Sequence, residues 1–321
     1  MRPNLPEGNK PKAWLVIPRL KIQNANAISS PLTWGFPSMT AFLGLMWALE
    51  RKTRPEIELS FHGVGVICHG FSPLAASGEY ETHFSLARNP PDAHGMLDSI
   101  QVEGRADLEI SLIFGLGWPD DGRGPQDLNL AANRIQKKLV DLRLAGGVIW
   151  PPEDEMAPYI ELDRAQAKLN LFMPALIKKG RLMPGFALVA RPDLLAGKMD
   201  ELAGFGENAS LIDAWLDFTR INWRAEKPDS RSPEIKWSPV RRPKGWIVPI
   251  PAGYAALTEV LDKTKNARDP STPFRFVEAL YSLGEWIGLH RVKNLNDLLW
   301  YGRYDSLRGL YLVQNDYIFS R

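Results

Sequence analysis

The order of apolar runs along the chain constrains its fold more than any other feature of the sequence. A β-branched run at 14–22 predicts a first strand, and Pro18 within it predicts an edge position or a bulge. Apolar residues at helical spacing then predict a helix over 39–52, with Ser38 as its N-terminal cap.

The remaining elements follow the same pattern of strands and helices. Further strands are predicted at 57–71, 82–87, 107–116, 184–191 and 245–254, and further helices at 128–147, 165–173, 209–221, 274–290 and 295–302. The first of these helices ends in Gly146-Gly147 as a C-cap. The segment 222–244 is predicted as a loop, and 307–320 as strand or coil. This order is typical of an α+β protein with an antiparallel sheet, and a ferredoxin-like core with insertions fits it best.

Composition places the chain among ordinary globular proteins. It has 321 residues, 45% hydrophobic and 24% charged, which allows one large domain or two of moderate size. Its single cysteine, Cys68, excludes a disulfide within the chain and a cysteine-based zinc cage. No run approaches the roughly 20 apolar residues of a membrane span, and the N-terminus lacks the pattern of a secretory signal. We therefore expect a soluble, cytoplasmic protein with no membrane partner.

Basic residues cluster in parts of the sequence although the net charge is only +2. Residues 1–48 carry five basic groups against one acid, and 220–244 carry eight against three. Residues 178–191 carry four basic groups and no acid. Such segregation suits one face for a polyanion, and chance clustering on a solvated surface is the alternative.

The stretch IQNANAISSPLTWGFPS, residues 22–38, has more neutral hydrogen-bonding groups than a connecting loop needs. Asn24 and Asn26 each offer a donor and an acceptor, and Trp34 offers a stacking face. The helix that begins at Ser38 directs its positive end toward the same place. The stretch therefore favours an RNA-binding loop, unless the amides serve the loop itself and Trp34 belongs to the core.

The sequence shows no pattern typical of a catalytic or metal site. It lacks a phosphate-binding P-loop, a dinucleotide fingerprint and a zinc-protease motif. His62 and His69 lie an odd number of residues apart on one predicted strand, so their side chains point to opposite faces. Cys68 and His69 point apart for the same reason, which favours a buried, inert thiol. We expect no cofactor and no bound metal.

Four segments carry a resemblance to a known family: PRLKIQNANAISSPLTWGFPSMTAF, LRLAGG, WIVPIPAGY and FVEALYSLGEWIG. Together they resemble the second Csy proteins, the smaller subunits of type I-F CRISPR surveillance complexes, which belong to the RAMP superfamily. The resemblance runs from about residue 13 to about 313 and is weaker over 75–95, 150–175 and 222–243.

The resemblance implies a palm with a ferredoxin-like, RNA-recognition-type fold and an inserted thumb-like helical and β region. It implies the first part of the palm at 1–116, the thumb-like region at 117–183, and the rest of the palm with C-terminal helices at 184–321. It also implies a non-catalytic subunit that holds the 5′ handle of the CRISPR RNA together with the large subunit. Further implied partners are the backbone subunit and, through the assembled complex, target double-stranded DNA.

The resemblance also indicates RNA-binding residues, with the first quoted segment as the loop beside the RNA. They are Asn24, Asn26, Ser29, Ser30, Thr33 and Trp34 in that loop, Arg19 and Lys21 in the preceding strand, and Arg143, Arg268 and Arg275 near the other segments.

Two other functions remain open at the level of sequence. A RAMP-type endoribonuclease that processes precursor CRISPR RNA would need a general base near the 2′-hydroxyl. The stretch 22–38 contains no histidine, lysine or tyrosine, and only Lys21 adjoins it, which disfavours cleavage. An unrelated α+β ligand-binding protein would require the four matching segments to be coincidental.

Overall fold

The computed structural model describes most of the chain. The described residues are 11–79, 81–97, 99–120, 124–152, 156–162, 177–204, 210–220, 223–225, 235, 237–239, 245–264, 269 and 271–320.

Strands dominate the described part of the chain. They are β1 (Ala13–Asn26), β2 (Ile28–Ser30), β3 (Thr33–Trp34), β4 (Ser60–Pro73), β5 (Ala75–Ser77), β6 (Thr82–Ala87), β7 (Gln101–Glu103), β8 (Arg105–Gly117), β9 (Arg143–Leu144), β10 (Gly147–Ile149), β11 (Tyr159–Leu162), β12 (Phe186–Ala190), β13 (Trp223–Ala225), β14 (Trp237–Pro239), β15 (Trp246–Ala256), β16 (Val277–Gly288), β17 (Trp300–Asp305) and β18 (Leu310–Asn315). The α-helices are α1 (Met39–Thr53), α2 (Leu128–Leu139), α3 (Asp193–Gly204) and α4 (Leu211–Thr219), with 3-10 helices at Leu289–Arg291, Leu295–Leu298 and Tyr317–Ser320.

Within the described residues, eleven strands form one antiparallel sheet, which confirms the predicted α+β class. Its order is β12-β16-β15-β18-β17-β4-β8-β1-β10-β9, and β11 also pairs with β1. The strands of the first half, β4, β8, β1 and β10, are neighbours in this order, and α1 and α2 pack on one of their faces. No helix among the described residues is long and apolar enough to cross a membrane.

The strand β4 joins the two halves of the chain. One edge of β4 pairs with β8 from Ser60 to Pro73. Its other edge is shared, because β17 pairs with it at Val64 and β12 pairs with it at Ile67 and Cys68. Since β12, β16, β15, β18 and β17 are successive neighbours in the sheet, these strands and β4 close into a ring.

Two bulges shape β1. The register with β8 shifts between Ile17 and Leu20 and again between Ile22 and Ala25. Arg19 and Asn24, one in each bulge, have positive φ angles of 49° and 60°. Pro18 was predicted to mark an edge position or a bulge. The register shift between Ile17 and Leu20 confirms the bulge. An edge position is excluded, because β1 pairs with β8 on one side and with β10 and β11 on the other.

The two faces of the sheet are covered unequally. Leu15, Ile17, Leu20 and Ile22 of β1 pack with α1 and α2 in the larger core. On the opposite face, Trp14 and Val16 pack in a second core with side chains such as Leu182, Leu289, Leu295 and Leu298. Lys21 and Gln23 lie further along β1 on that same face and are exposed, so the second core does not cover them. This uncovered area is called the open face below.

Buried ionic contacts hold β12 against β16. The guanidinium of Arg191, which follows β12, donates to Glu285 of β16 and to the Asp193 carboxylate at 2.8 Å. Arg291 donates to the other Glu285 oxygen at 3.0 Å. Breaking one partner of such a buried pair would leave an uncompensated charge, so this end of the two strands is fixed relative to one another.

Three predicted helices are wrong in whole or in part. The segment 274–290 contains strand β16, whose Val, Tyr, Trp and Ile side chains suit the middle of a sheet between β12 and β15. The segment 295–302 is a short 3-10 helix followed by β17. The helix predicted over 128–147 ends at Leu139, and Gly146 lies in the turn between β9 and β10.

The other predicted elements fall where the sequence indicates, with two exceptions. The loop predicted at 222–244 contains a hairpin, because β13 and β14 pair with one another. The helix predicted at 165–173 lies outside the described residues. The segment 307–320 contains strand β18, one of its two predicted alternatives.

Gly253 gives a direct test of the ring. It lies at a bulge of β15 with φ of 136°, and a Cβ built there would lie 1.9 Å from the carbonyl oxygen of Tyr311 in β18. We expect Gly253→Ala to lower the free energy of unfolding by about 2 kcal/mol or more, since the left-handed backbone alone costs about 1–2 kcal/mol. Urea unfolding followed by circular dichroism measures it.

Gly44→Ala is the matched control. Gly44 lies exposed in α1, where an added Cβ meets nothing within 4 Å, so the substitution is expected to raise stability by about 0.5–1 kcal/mol. Equal effects of the two substitutions would contradict the close approach of β15 to β18.

Candidate nucleic-acid interface

The stretch 28–34 forms a small hairpin whose hydroxyl groups bond within it. Ser29 and Ser30 lie 2.8 Å and 2.6 Å from the Thr33 hydroxyl, and the Thr33 amide donates to Ser30 Oγ at 3.0 Å. Thr33 is buried. These three predicted RNA-binding residues therefore set the shape of the hairpin.

The two predicted asparagines differ in what their amides do. Asn26 donates to the Ile28 carbonyl at 2.8 Å and accepts from the Ile28 amide at 3.1 Å, which closes a local turn. Asn24 is exposed at the second bulge of β1, and its backbone amide donates to Asp107 at 2.8 Å. The side chain of Asn24 is therefore the better placed of the two to meet a ligand.

Arg19 organises the border of the open face. Its guanidinium bonds to the Arg181 carbonyl at 3.0 Å, the Met183 carbonyl at 3.1 Å and the Glu109 carboxylate at 3.1 Å. Its backbone amide donates to Ser111 Oγ at 3.0 Å. Arg19 thus fixes the segment before β12 onto the sheet. These bonds engage the guanidinium N–H groups with which Arg19 was predicted to hold RNA.

His69 belongs to the same network. Its Nδ1 lies 2.7 Å from the Pro184 carbonyl, which can only accept, so the proton is on Nδ1. Its Nε2 accepts from the Ser111 hydroxyl at 2.7 Å. Burial, as the largest cause, holds the pKa of His69 below its ordinary value. Burial also raises the pKa of the neighbouring Cys68 thiol to about 11, so that thiol stays protonated at neutral pH.

The remaining predicted cations lie on different elements. Lys21 is exposed on the open face. Arg143 lies on the β9–β10 hairpin and donates to the Gly146 carbonyl at 3.3 Å. Arg275 donates to the Thr258 carbonyl at 2.5 Å and to the Tyr304 hydroxyl at 3.1 Å, which uses it to hold the far end of the β15–β16 pair. Arg268 lies outside the described residues.

Two adjoining pockets lie along the open face. The first, called the cationic pocket, has a volume of about 680 Å³ and is lined by Arg19, Lys21, Lys178, Arg181, Glu109, Trp150 and other residues of the 151–183 region. The second, called the bridging pocket, has a volume of about 550 Å³ and is lined by Lys21, Gln23, Gly70, Phe71, Asp107, Glu109, Trp150 and their neighbours. Together they present four cations and two carboxylates, which favours an anionic ligand.

Trp150 forms part of both pockets. Its side chain is 53% exposed, and its ring N–H donates to the Gln23 side-chain oxygen at 3.2 Å. This bond orients the indole beside Lys21, so a flat ring and a cation face the same space.

An aromatic groove lies on the helix side of the sheet, beside the β2–β3 hairpin. It has a volume of about 610 Å³, and its aromatic lining comes from Trp34, Phe36, Phe71, Phe186, Trp246 and Trp286. Trp34 is 70% exposed, Trp246 57% and Phe186 46%. The exposure of Trp34 excludes the alternative that it is a core residue, although its edge contacts Phe84 with 5.6 Å between ring centroids.

The walls of this groove come from distant parts of the sequence. Trp246 contacts Phe186 and Trp286 with ring centroids 5.6 Å and 6.1 Å apart, which joins β15, β12 and β16. Ser38 caps α1 at the groove, where its hydroxyl accepts from the Thr40 amide at 3.3 Å.

Sequence reasoning missed Trp150, Phe186 and Trp246. The signal that could have found the two tryptophans is their place at the end of a strand, beside proline or glycine.

Among the described residues, no three His, Cys, Asp or Glu side chains come together as a metal site would require. The described surface presents charged side chains in the cationic pocket and aromatic rings in the groove.

Comparison with known proteins gives a family match and a similar relative. Residues 15–313 match the family model described as CRISPR-associated protein, Cas_Csy2. Over 317 residues the chain is 42% identical to the CRISPR-associated protein Csy2 of Pseudomonas aeruginosa (strain UCBPP-PA14), and the match covers 94% of each chain.

The low pKa of His69 predicts how stability depends on pH. An unfolded histidine has a pKa near 6.5, and the pKa of His69 in the folded chain is lower. When the pH falls below 6.5, the unfolded chain therefore protonates this ring before the folded chain does. The unfolded state therefore binds more protons as the pH falls below about 6.5, and folding loses stability there.

We expect His69→Gln to show a smaller fall in melting temperature between pH 7 and pH 5 than the unsubstituted chain shows. Differential scanning fluorimetry at both pH values measures this difference. An equal or larger fall in the variant would contradict a buried, neutral His69.

Proposed function

The chain belongs to the Csy2 family of CRISPR-associated proteins, and we propose that it binds the 5′ handle of the CRISPR RNA, without cutting it, as a Cas subunit of the type I-F CRISPR complex. The observation that carries this proposal is the family match over residues 15–313. The proposed setting is the cytoplasm, and the proposed partner in holding the handle is the large subunit.

The topology of the first half supports a ferredoxin-like palm. The elements β1, α1, β4, β8, α2 and β10 follow one another along the chain, and the strand order is β4-β8-β1-β10. All the pairings are antiparallel, and both helices lie on one face. The second core covers part of the opposite face and leaves the open face accessible to a ligand. The region 117–183 was predicted to be the inserted, thumb-like region, but α2 and β10 lie within it. We therefore propose that the first part of the palm continues from 116 through β10, that the thumb-like region follows β10 up to 183, and that 184–321 forms the rest of the palm.

The charge of the open face supports RNA as the ligand there. Lys21, Lys178 and Arg181 line the cationic pocket and can neutralise phosphates, which supplies much of the affinity of nucleic-acid binding. Trp150 offers a ring beside them, and Asn24 offers an exposed amide at the neighbouring bulge. We place the handle along this face.

Exposed apolar side chains elsewhere support protein partners. On α4, Leu211, Ile212 and Leu216 are exposed, and on the β6–β7 pair Leu86 and Val102 are exposed. Large exposed side chains in groups are typical of surfaces that meet other proteins. We propose that surfaces of this kind contact the large subunit and the backbone subunit, and that target double-stranded DNA is met only through the assembled complex.

The network around His69 supports a role without catalysis. A general base for RNA cleavage needs a ring nitrogen able to accept a proton from the 2′-hydroxyl. Both ring nitrogens of His69 take part in hydrogen bonds of 2.7 Å, to Ser111 and Pro184. Incubation of the purified chain with precursor CRISPR RNA in EDTA is expected to leave the RNA intact. Specific cleavage that is lost in His69→Ala would favour the endoribonuclease alternative.

The two asparagines separate RNA binding from loop stability. Asn24→Gly removes the exposed amide and keeps a residue that accepts the positive φ at this position. We expect it to weaken binding of the handle RNA by about 1–3 kcal/mol, because a polar contact is lost. Fluorescence anisotropy with labelled handle RNA measures the affinity, and a thermal melt measures stability.

Asn26→Ala is the matched variant. It removes the local turn with Ile28, so its main effect is expected on the melting temperature. The proposed role of Asn24 would be wrong if Asn24→Gly bound the handle as tightly as the unsubstituted chain.

A further inference from the structure

The three pockets form one continuous track across the molecule. The cationic and bridging pockets share Lys21, Glu109 and Trp150. The bridging pocket and the aromatic groove share Gly70 and Phe71. A ligand chain could therefore pass from the open face to the helix side of the sheet without leaving a lined surface.

The track crosses the sheet at an open strand edge. Residues 70–73 pair with β8 on one side, but the pairing of β12 with β4 ends at Cys68. Among the described strands, none pairs with the other edge of β4 beyond that point. The register shift between Cys68 and Gly70 lies at the crossing, where glycine leaves room for a ligand.

The two ends of the track differ in chemistry. The cationic pocket carries Lys21, Lys178 and Arg181, whereas the aromatic groove has no Lys, Arg, Asp or Glu among its lining residues. Single-stranded nucleic acid has the matching division, with charged phosphates along its backbone and flat bases that stack on aromatic rings. A volume of about 610 Å³ is within the range of small-molecule sites, so a base has space there.

We propose that the aromatic groove takes an unstacked base from the RNA strand whose backbone lies in the cationic pocket. The strand rounds the edge of β4 at Gly70 and Phe71, and the base stacks on Trp246 with Trp34 beside it. This inference rests on the proposed function, because the base in the groove would belong to the RNA that the chain is proposed to bind.

Trp246→Ala tests the groove in the full chain. The probe is the handle RNA of the CRISPR repeat, together with a set of copies in which one nucleotide at a time lacks its base. We expect Trp246→Ala to weaken binding of the intact RNA by roughly 5-fold to 100-fold, the scale of one base stacked on one ring. With the copy that lacks the stacked base, the substitution is expected to have no effect, because the pair is already broken.

Two variants serve as controls. Trp246→Phe keeps a ring next to Phe186 and Trp286, so it is expected to restore most of the affinity and to show that the loss is not unfolding. Trp237→Ala removes a tryptophan that is 63% exposed on the separate β13–β14 hairpin, and it is expected to change affinity less than twofold.

The outcomes separate this inference from the proposed function. If Lys21→Glu weakens handle binding but Trp246→Ala does not, the groove does not hold a base, and the proposed function stands. The groove also does not hold a base if Trp246→Ala weakens binding equally for every abasic copy, or if it reduces only co-purification with other Cas subunits. In both cases the proposed function stands. If the unsubstituted chain, alone and with its large subunit, does not bind the handle, both proposals fail.

Discussion

The pairing of β4 is the constraint on which the rest of the structure depends. This strand gives one edge to β8 and divides the other between β17 and β12. The division closes the ring, buries Trp300 so that its ring N–H donates to the Leu188 carbonyl at 2.8 Å, and brings Phe186 beside Cys68. It also leaves the last residues of β4 with an open edge. The groove and the crossing of the track both result from this one arrangement.

Periodicity predicted most of the elements and failed at β16, where the apolar spacing fits two kinds of element. The helix α1 and the strands β1, β4 and β8 were found from apolar spacing and a serine cap. In β16, apolar residues follow one another closely enough to fit a helix as well as a strand. One of its two pairing partners, β12, lies far away in sequence, so tertiary contacts decide the outcome.

The sequence indicated the segment that borders the candidate interface, but not the side chains that line its pockets. The amide-rich stretch 22–38 does lie beside an open surface, yet Asn26, Ser30 and Thr33 bond mainly within their own hairpin. Short polar side chains satisfy nearby backbone groups first, and composition does not reveal which of them remain exposed. Trp246 and Phe186 line one groove with Trp34 because the ring closes, and no local sequence pattern indicates that.

The shared edge of β4 also has a consequence for synthesis on the ribosome. Val64 is made long before its partner Trp300, and Ile67 long before Ala187. At roughly 5–20 residues per second, the edge waits on the order of ten seconds or longer for β17. During that time the nascent first half exposes an unpaired strand edge, the kind of surface to which other chains add. Protection by a chaperone during translation would thus benefit this chain more than one whose strands pair with sequential neighbours.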